Sequence, residues 1–80
     1  MKLFKGKVVC PLCHGNGLIF KTKIKAEQAI LYICDECVAT WQRDNAIQIS
    51  NFIKLSSVLI KSNSVYSDIL NLGYDWYNKS

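Results

Sequence analysis

From Leu18 to Lys25 apolar and polar positions alternate. Leu18, Phe20, Thr22 and Ile24 fall on one side of an extended strand, and Ile19, Lys21, Lys23 and Lys25 on the other. Positions 26–28 read as a turn and Ala29 to Ile33 as the returning strand, so a β-hairpin occupies the middle of the first half. Lys2 to Val9 alternates weakly and predicts a short strand ending at Cys10, while Val38 to Ile49, with Trp41, Ile47 and Ile49, predicts a third strand. After residue 49 the period changes. Phe52, Leu55 and Leu59, with Ile53 and Ile60, recur at helical spacing behind Ser50-Asn51 as an N-cap, with Lys54 and Lys61 on the polar side. A second short helix is expected through Tyr66, Ile69 and Leu70, ended by Gly73. The pattern predicts a small α+β domain over residues 1–80: an antiparallel hairpin or three-stranded sheet in 1–49, and a helical tail in 50–80 packed on it.

The cysteines sharpen this picture. The chain has four, as Cys10-Pro11-Leu12-Cys13 and Cys34-Asp35-Glu36-Cys37, with 20 residues between the pairs. A C-x2-C turn aims two sulfurs at one point, and two such turns joined by a hairpin make the four-thiolate site of a zinc ribbon. Cys10, Cys13, Cys34 and Cys37 are therefore the expected ligands of one structural Zn2+, in a closed site that leaves no position for substrate. Pro11 suits the start of the knuckle turn, and Gly15 and Gly17 are expected at positive φ, turning the chain away from the metal. Asp35 and Glu36 are expected to point to solvent, and His14 to be an exposed knuckle residue.

Rival readings of the cysteines are weaker. Met1 to Gly6 has no apolar core of a secretory signal, so a reducing cytoplasm is expected, where paired thiols favour metal over disulfides. A redox C-x-x-C would need a thioredoxin-like βαβ context. Cys10 to His14 also reads C-x-x-C-H, the haem attachment motif, but that reading leaves the second pair of cysteines without a role.

At 80 residues, 50% apolar and 20% charged, the chain is globular in composition. Such a domain buries only about 60% of its unfolded surface, so a metal staple is well motivated. The formal net charge of +4 is unevenly spread. Lys2, Lys5, Lys7, Lys21, Lys23 and Lys25 precede residue 26 with no acid among them, and the remainder is net acidic. Four thiolates and one divalent ion would bring the total near +2, which tempers any nucleic-acid reading. No run approaches the ~18 apolar residues of a membrane helix. His14, the one histidine, has no partner for acid–base work in the pattern, and there is no phosphate-cradling glycine loop. No enzyme is expected.

Two surfaces remain as candidates. Tyr74-Asp75-Trp76-Tyr77 sets three aromatics at one end of the tail. They either pack back onto the ribbon or, with Tyr66 and Asp68, anchor a protein partner. Lys21, Lys23 and Lys25 form either a solvated face or a phosphate-contacting strip, with Trp41 covering the metal site or stacking on a base.

Cys10-Pro11-Leu12-Cys13-His14-Gly15-Asn16-Gly17 resembles one zinc-binding repeat of the cysteine-rich region of DnaJ-type co-chaperones. The second knuckle lacks both glycines, so the likeness implies a shared knuckle design rather than a shared function. The broader layout is a glycine-rich first knuckle, a lysine-bearing hairpin, Tyr32-Ile33-Cys34-Asp35-Glu36-Cys37 with Trp41 beyond, and a short tail. This resembles small bacterial zinc-ribbon proteins, some of them immunity proteins of polymorphic or contact-dependent toxin systems. That resemblance implies a cognate toxin domain as partner; the alternative is a nucleic-acid-binding ribbon using the lysine-rich hairpin.

Overall fold

The structure is a computed structural model that describes residues 3–13, 16–25, 27–44 and 47–77. His14, Gly15, Lys2 and position 26 of the predicted turn lie outside the described residues.

The N-terminal segment folds back on itself instead of forming one strand. β1 (Leu3–Phe4) and β2 (Lys7–Val8) pair antiparallel across Lys5-Gly6. Both turn residues have positive φ (52° and 84°), the requirement of a two-residue turn whose twist matches its strands. The predicted hairpin follows as β3 (Ile19–Ile24) and β4 (Ala29–Cys34), in register from Ile19 opposite Cys34 to Ile24 opposite Ala29. β5 is shorter than expected, only Ala39–Trp41, and β6 (Ile53–Lys54) pairs with it.

The tail departs most from its helical reading. The sole α-helix among the described residues, α1 (Leu55–Lys61), begins after Lys54, and neither Ser50 nor Asn51 caps it; those two lie in a 3-10 turn, Ile49–Asn51. Pairing with β5 holds Ile53–Lys54 extended and delays the helix. It ends with Asn63 at φ 57°, where Ser64 N–H donates to Leu59 O (2.8 Å) and Asn63 N–H to Ile60 O (3.1 Å). The second predicted helix is only a 3-10 turn, Tyr66–Asp68, after which β7 (Ile69–Gly73) pairs antiparallel with β3. The open side of β3 offers a ladder of backbone hydrogen bonds, and this outweighs the i, i+3 apolar spacing. The main sheet runs β6-β5-β4-β3-β7.

Both sheet faces are covered, because strand alternation sends neighbours to opposite sides. Ile24, Leu31 and Ile33 pack under Leu55 and Leu59 of α1. On the other face Val8, Cys10, Ile19, Tyr32, Cys34 and Trp41 form a second core with Ile47. The lysine side of β3 is therefore not a plain solvated face: Ile19 is fully buried, Lys21 and Lys23 are half-buried, and Lys25 is exposed. Buried Thr22 donates its hydroxyl to Leu31 O (3.1 Å). No helix among the described residues is long and apolar enough to cross a membrane.

Candidate metal centre

The sheet brings the two knuckles to one end of β3. Val9 bridges to Leu18, Cys10 N–H donates to Gly17 O (2.9 Å) and Asn16 N–H to Cys13 O (3.0 Å), closing the first knuckle. Cys34 ends β4 opposite Ile19, and Asp35 N–H donates to Leu18 O (3.1 Å), so both knuckles share the same strand end. The four sulfurs lie within 4.8 Å of one another. Cys10 and Cys37 sulfurs are 3.7 Å apart, and those of Cys13 and Cys34 3.4 Å. Four sulfurs about 2.3 Å from a tetrahedral zinc would be separated by about 3.8 Å. A disulfide needs about 2.05 Å, and all four cysteines are free. These residues can hold one metal ion.

Backbone donors support the sulfurs. Leu12 N–H points at Cys10 Sγ (3.4 Å), and Glu36 and Cys37 N–H both point at Cys34 Sγ (3.3 and 3.4 Å). Such bonds favour thiolate. Burial works the other way: it pushes the Cys10 thiol up to about 11, and burial with the neighbouring thiols pushes Cys13 up as well. Cys37 is also opposed by burial, yet hydrogen bonds from Cys13 and the Ala39 N–H hold it below the usual thiol value. A divalent cation bound among these sulfurs supplies the charge that turns crowded thiols into thiolates.

Gly17 has a different role from the one expected. Its φ is not positive; instead it is buried against the site, where a Cβ would run into Cys34 Sγ and come within 3.1 Å of Glu36 Cβ. The left-handed position falls at Val38 (φ 65°), one residue past the second knuckle. That conformation is rare for a β-branched side chain. Asp35 does not simply point to solvent. Its Oδ1 accepts from Leu18 N–H (3.0 Å) and its Oδ2 from the Tyr74 hydroxyl (3.0 Å), tying knuckle, hairpin and tail together. No spacing signal marks this role, because the link to Tyr74 spans 39 residues.

The aromatic tail packs back. Tyr74 lies 5.6 Å from Phe20 between ring centroids, and its hydroxyl resists ionisation through burial and the neighbouring Asp35 carboxylate. Trp76 sits 4.6 Å from Tyr32 and donates Nε1–H to Ile19 O (3.0 Å), and Tyr77 meets Trp76 edge-on. Asp75 pairs with Lys7 at 3.4 Å on the surface. Asp68 accepts from Val65 N–H (3.0 Å) and stabilises its own turn. Trp41 is 1% exposed, with Nε1–H on Gln48 O (2.9 Å); it joins the core beside Cys10 and Cys34, leaving no ring face to stack on a base.

Of the predicted partner-binding residues, Tyr66 stands apart at 63% exposed. It lines an open groove of about 490 Å3 with Leu12, Val38, Phe52 and Leu55, beside Cys37. A second cleft of about 430 Å3 continues past Val38, Leu55 and Tyr66 to Phe20, Ile69 and Tyr74. This apolar surface escaped the sequence reading because its residues come from four separated segments. Compared with family models, curated proteins and solved structures, the chain matches none.

Proposed function

We propose that this chain is a small zinc-ribbon protein that acts without enzymatic chemistry, by binding a protein partner in the cytoplasm. The observation that carries the first part is the cluster of Cys10, Cys13, Cys34 and Cys37 sulfurs within 4.8 Å. Zinc held by four thiolates has no open position, so it joins the knuckles rather than turning over substrate. The partner reading is supported by the groove beside the second knuckle, where Phe52 and Tyr66 are 43% and 63% exposed. Exposed aromatics around an apolar groove match the composition of interface hot spots.

In its most specific form the reading is an immunity protein that binds and neutralises a cognate bacterial toxin domain. Co-expression with toxin domains encoded beside it tests this. Growth is expected to be restored by one of them, and the rescue to be lost in Phe52→Glu while the metal content stays unchanged. A Phe52→Glu chain that protects as well as the original would exclude the groove as the binding surface.

The column Lys21, Lys23 and Lys25 supports the alternative, a nucleic-acid-binding ribbon. Anisotropy of labelled RNA and DNA at about 50 and 200 mM salt separates the two, because phosphate contacts make affinity fall steeply with salt. Micromolar binding that collapses at the higher salt would replace the protein-partner reading.

A further inference from the structure

The two edges of the main sheet differ in how they are guarded. β6 is two residues long and carries exposed Lys54, both devices that discourage pairing with another chain. β7 runs five residues as Ile69-Leu70-Asn71-Leu72-Gly73, without charge or proline, with Leu70 and Leu72 41% and 48% exposed. Among the described residues no strand pairs with its outer side.

The backbone pattern shows which groups face outward. Lys25 N–H donates to Asp68 O (3.0 Å), and the register continues as Ile24 opposite Ile69, Lys23 opposite Leu70 and Thr22 opposite Asn71. Hydrogen-bonded and non-hydrogen-bonded pairs alternate in an antiparallel ladder. Leu70 therefore spends its backbone groups on β3, while those of Ile69 and Asn71 face away from it.

We infer that β7 is a homodimer edge: two copies of this chain pair antiparallel through β7 about a two-fold axis at Asn71. The segment Leu70-Asn71-Leu72 reads the same in both directions, so the symmetry is self-complementary. The two Asn71 residues exchange backbone hydrogen bonds, and each Leu70 stands opposite Leu72 of the partner copy on one face. The five-stranded sheet becomes one continuous sheet through both copies.

Charge does not oppose this. The lysine column of β3 in one copy lies three strand spacings, about 14 Å, from that of the other. That exceeds the screening length of about 8 Å at physiological salt. The inference rests on the sheet alone and stands apart from the reading of the groove.

Sedimentation equilibrium of the metal-loaded 80-residue chain tests it, from about 10 µM to about 1 mM, a range suited to an interface of small area. The apparent mass is expected to rise from 9.1 kDa toward twice that value. Leu72→Lys, and independently Leu70→Lys, should each hold the mass at the single-chain value, with near-ultraviolet circular dichroism and metal content unchanged. Ile60→Lys, on the exposed side of α1, should still dimerise. A single-chain mass at every concentration overturns the inference. So does association that survives both leucine variants, or that Ile60→Lys abolishes equally.

Discussion

Replacing Gly17 by alanine adds one methyl group at a position where neither conformation nor solvent exposure is at issue. The backbone there is not in the left-handed region, so alanine brings no φ strain. The methyl would occupy space held by Cys34 Sγ, with Glu36 Cβ and Asp35 Oδ1 at 3.1 and 3.3 Å closing off escape. The Gly17 carbonyl is fixed by Cys10 N–H at 2.9 Å, so the backbone cannot easily retreat. Carbon and sulfur settle near 3.5–4.0 Å, so the sulfur must move by roughly 1 Å. Metal–ligand distances tolerate only about 0.2 Å, and the shift removes one ligand. Apparent zinc binding of about 10 kcal/mol or more, shared by four ligands, puts the loss near 3 kcal/mol, or about 100-fold in affinity. Competition against a chromophoric chelator reads this directly, and tetrahedral Co2+–thiolate bands report the geometry. Gly73→Ala is the control: its φ is +96° with nothing within 4 Å, so it should lower stability by about 1–2 kcal/mol and leave metal affinity unchanged. A Gly17→Ala protein with undiminished zinc affinity would refute the packing argument.

Cys34→Ser, or chelation of the metal, should unfold the domain, seen as loss of the far-ultraviolet circular dichroism signal, because bound metal supplies folding free energy. A folded monomeric Cys34→Ser chain would contradict a structural metal. Trp76→Ala removes the ring from Tyr32 and leaves the Ile19 carbonyl without its donor. It should destabilise the holo protein by about 2–4 kcal/mol in denaturant titrations while zinc stoichiometry stays unchanged. Tyr74→Phe loses the bond to Asp35 and should cost about 0.5–1.5 kcal/mol, with little further loss when Asp35→Ala is added. Burial and Asp35 raise the Tyr74 hydroxyl above its ordinary 10.0. Its contribution is therefore fully present below about pH 10 and is lost as pH rises through the folded value. The difference in stability between wild type and Tyr74→Phe should shrink on that alkaline side.

Legibility in the sequence followed the range of the forces. The C-x2-C spacing is a local geometric constraint, and it identified the four residues whose sulfurs the fold gathers. β3 and β4 were readable because alternation matches a hairpin whose partners are near in sequence. The tail was not readable in the same way. Tyr66, Ile69 and Leu70 satisfy helical spacing, but a free edge on β3, more than 40 positions earlier, pulls Ile69–Gly73 into the sheet. Leu55 and Leu59 do lie on one buried helix face, yet Phe52 belongs to an extended segment fixed by β5. Gly17 was correctly singled out for the wrong physical reason, because only the assembled site shows which atom approaches its α-carbon. Asp35 and Val38 carried no periodic signal at all; one acts across 39 residues and the other is exceptional in its backbone.

The central claim is that these four cysteines hold one ion together. Native mass spectrometry of the protein purified from zinc-supplemented cells, with zinc-edge X-ray absorption on the same sample, tests it most directly. The account predicts one zinc per chain, surrounded by four sulfur scatterers at about 2.3 Å. A chain carrying no metal, cysteines paired as disulfides, or a shell containing nitrogen or oxygen in place of sulfur would contradict it.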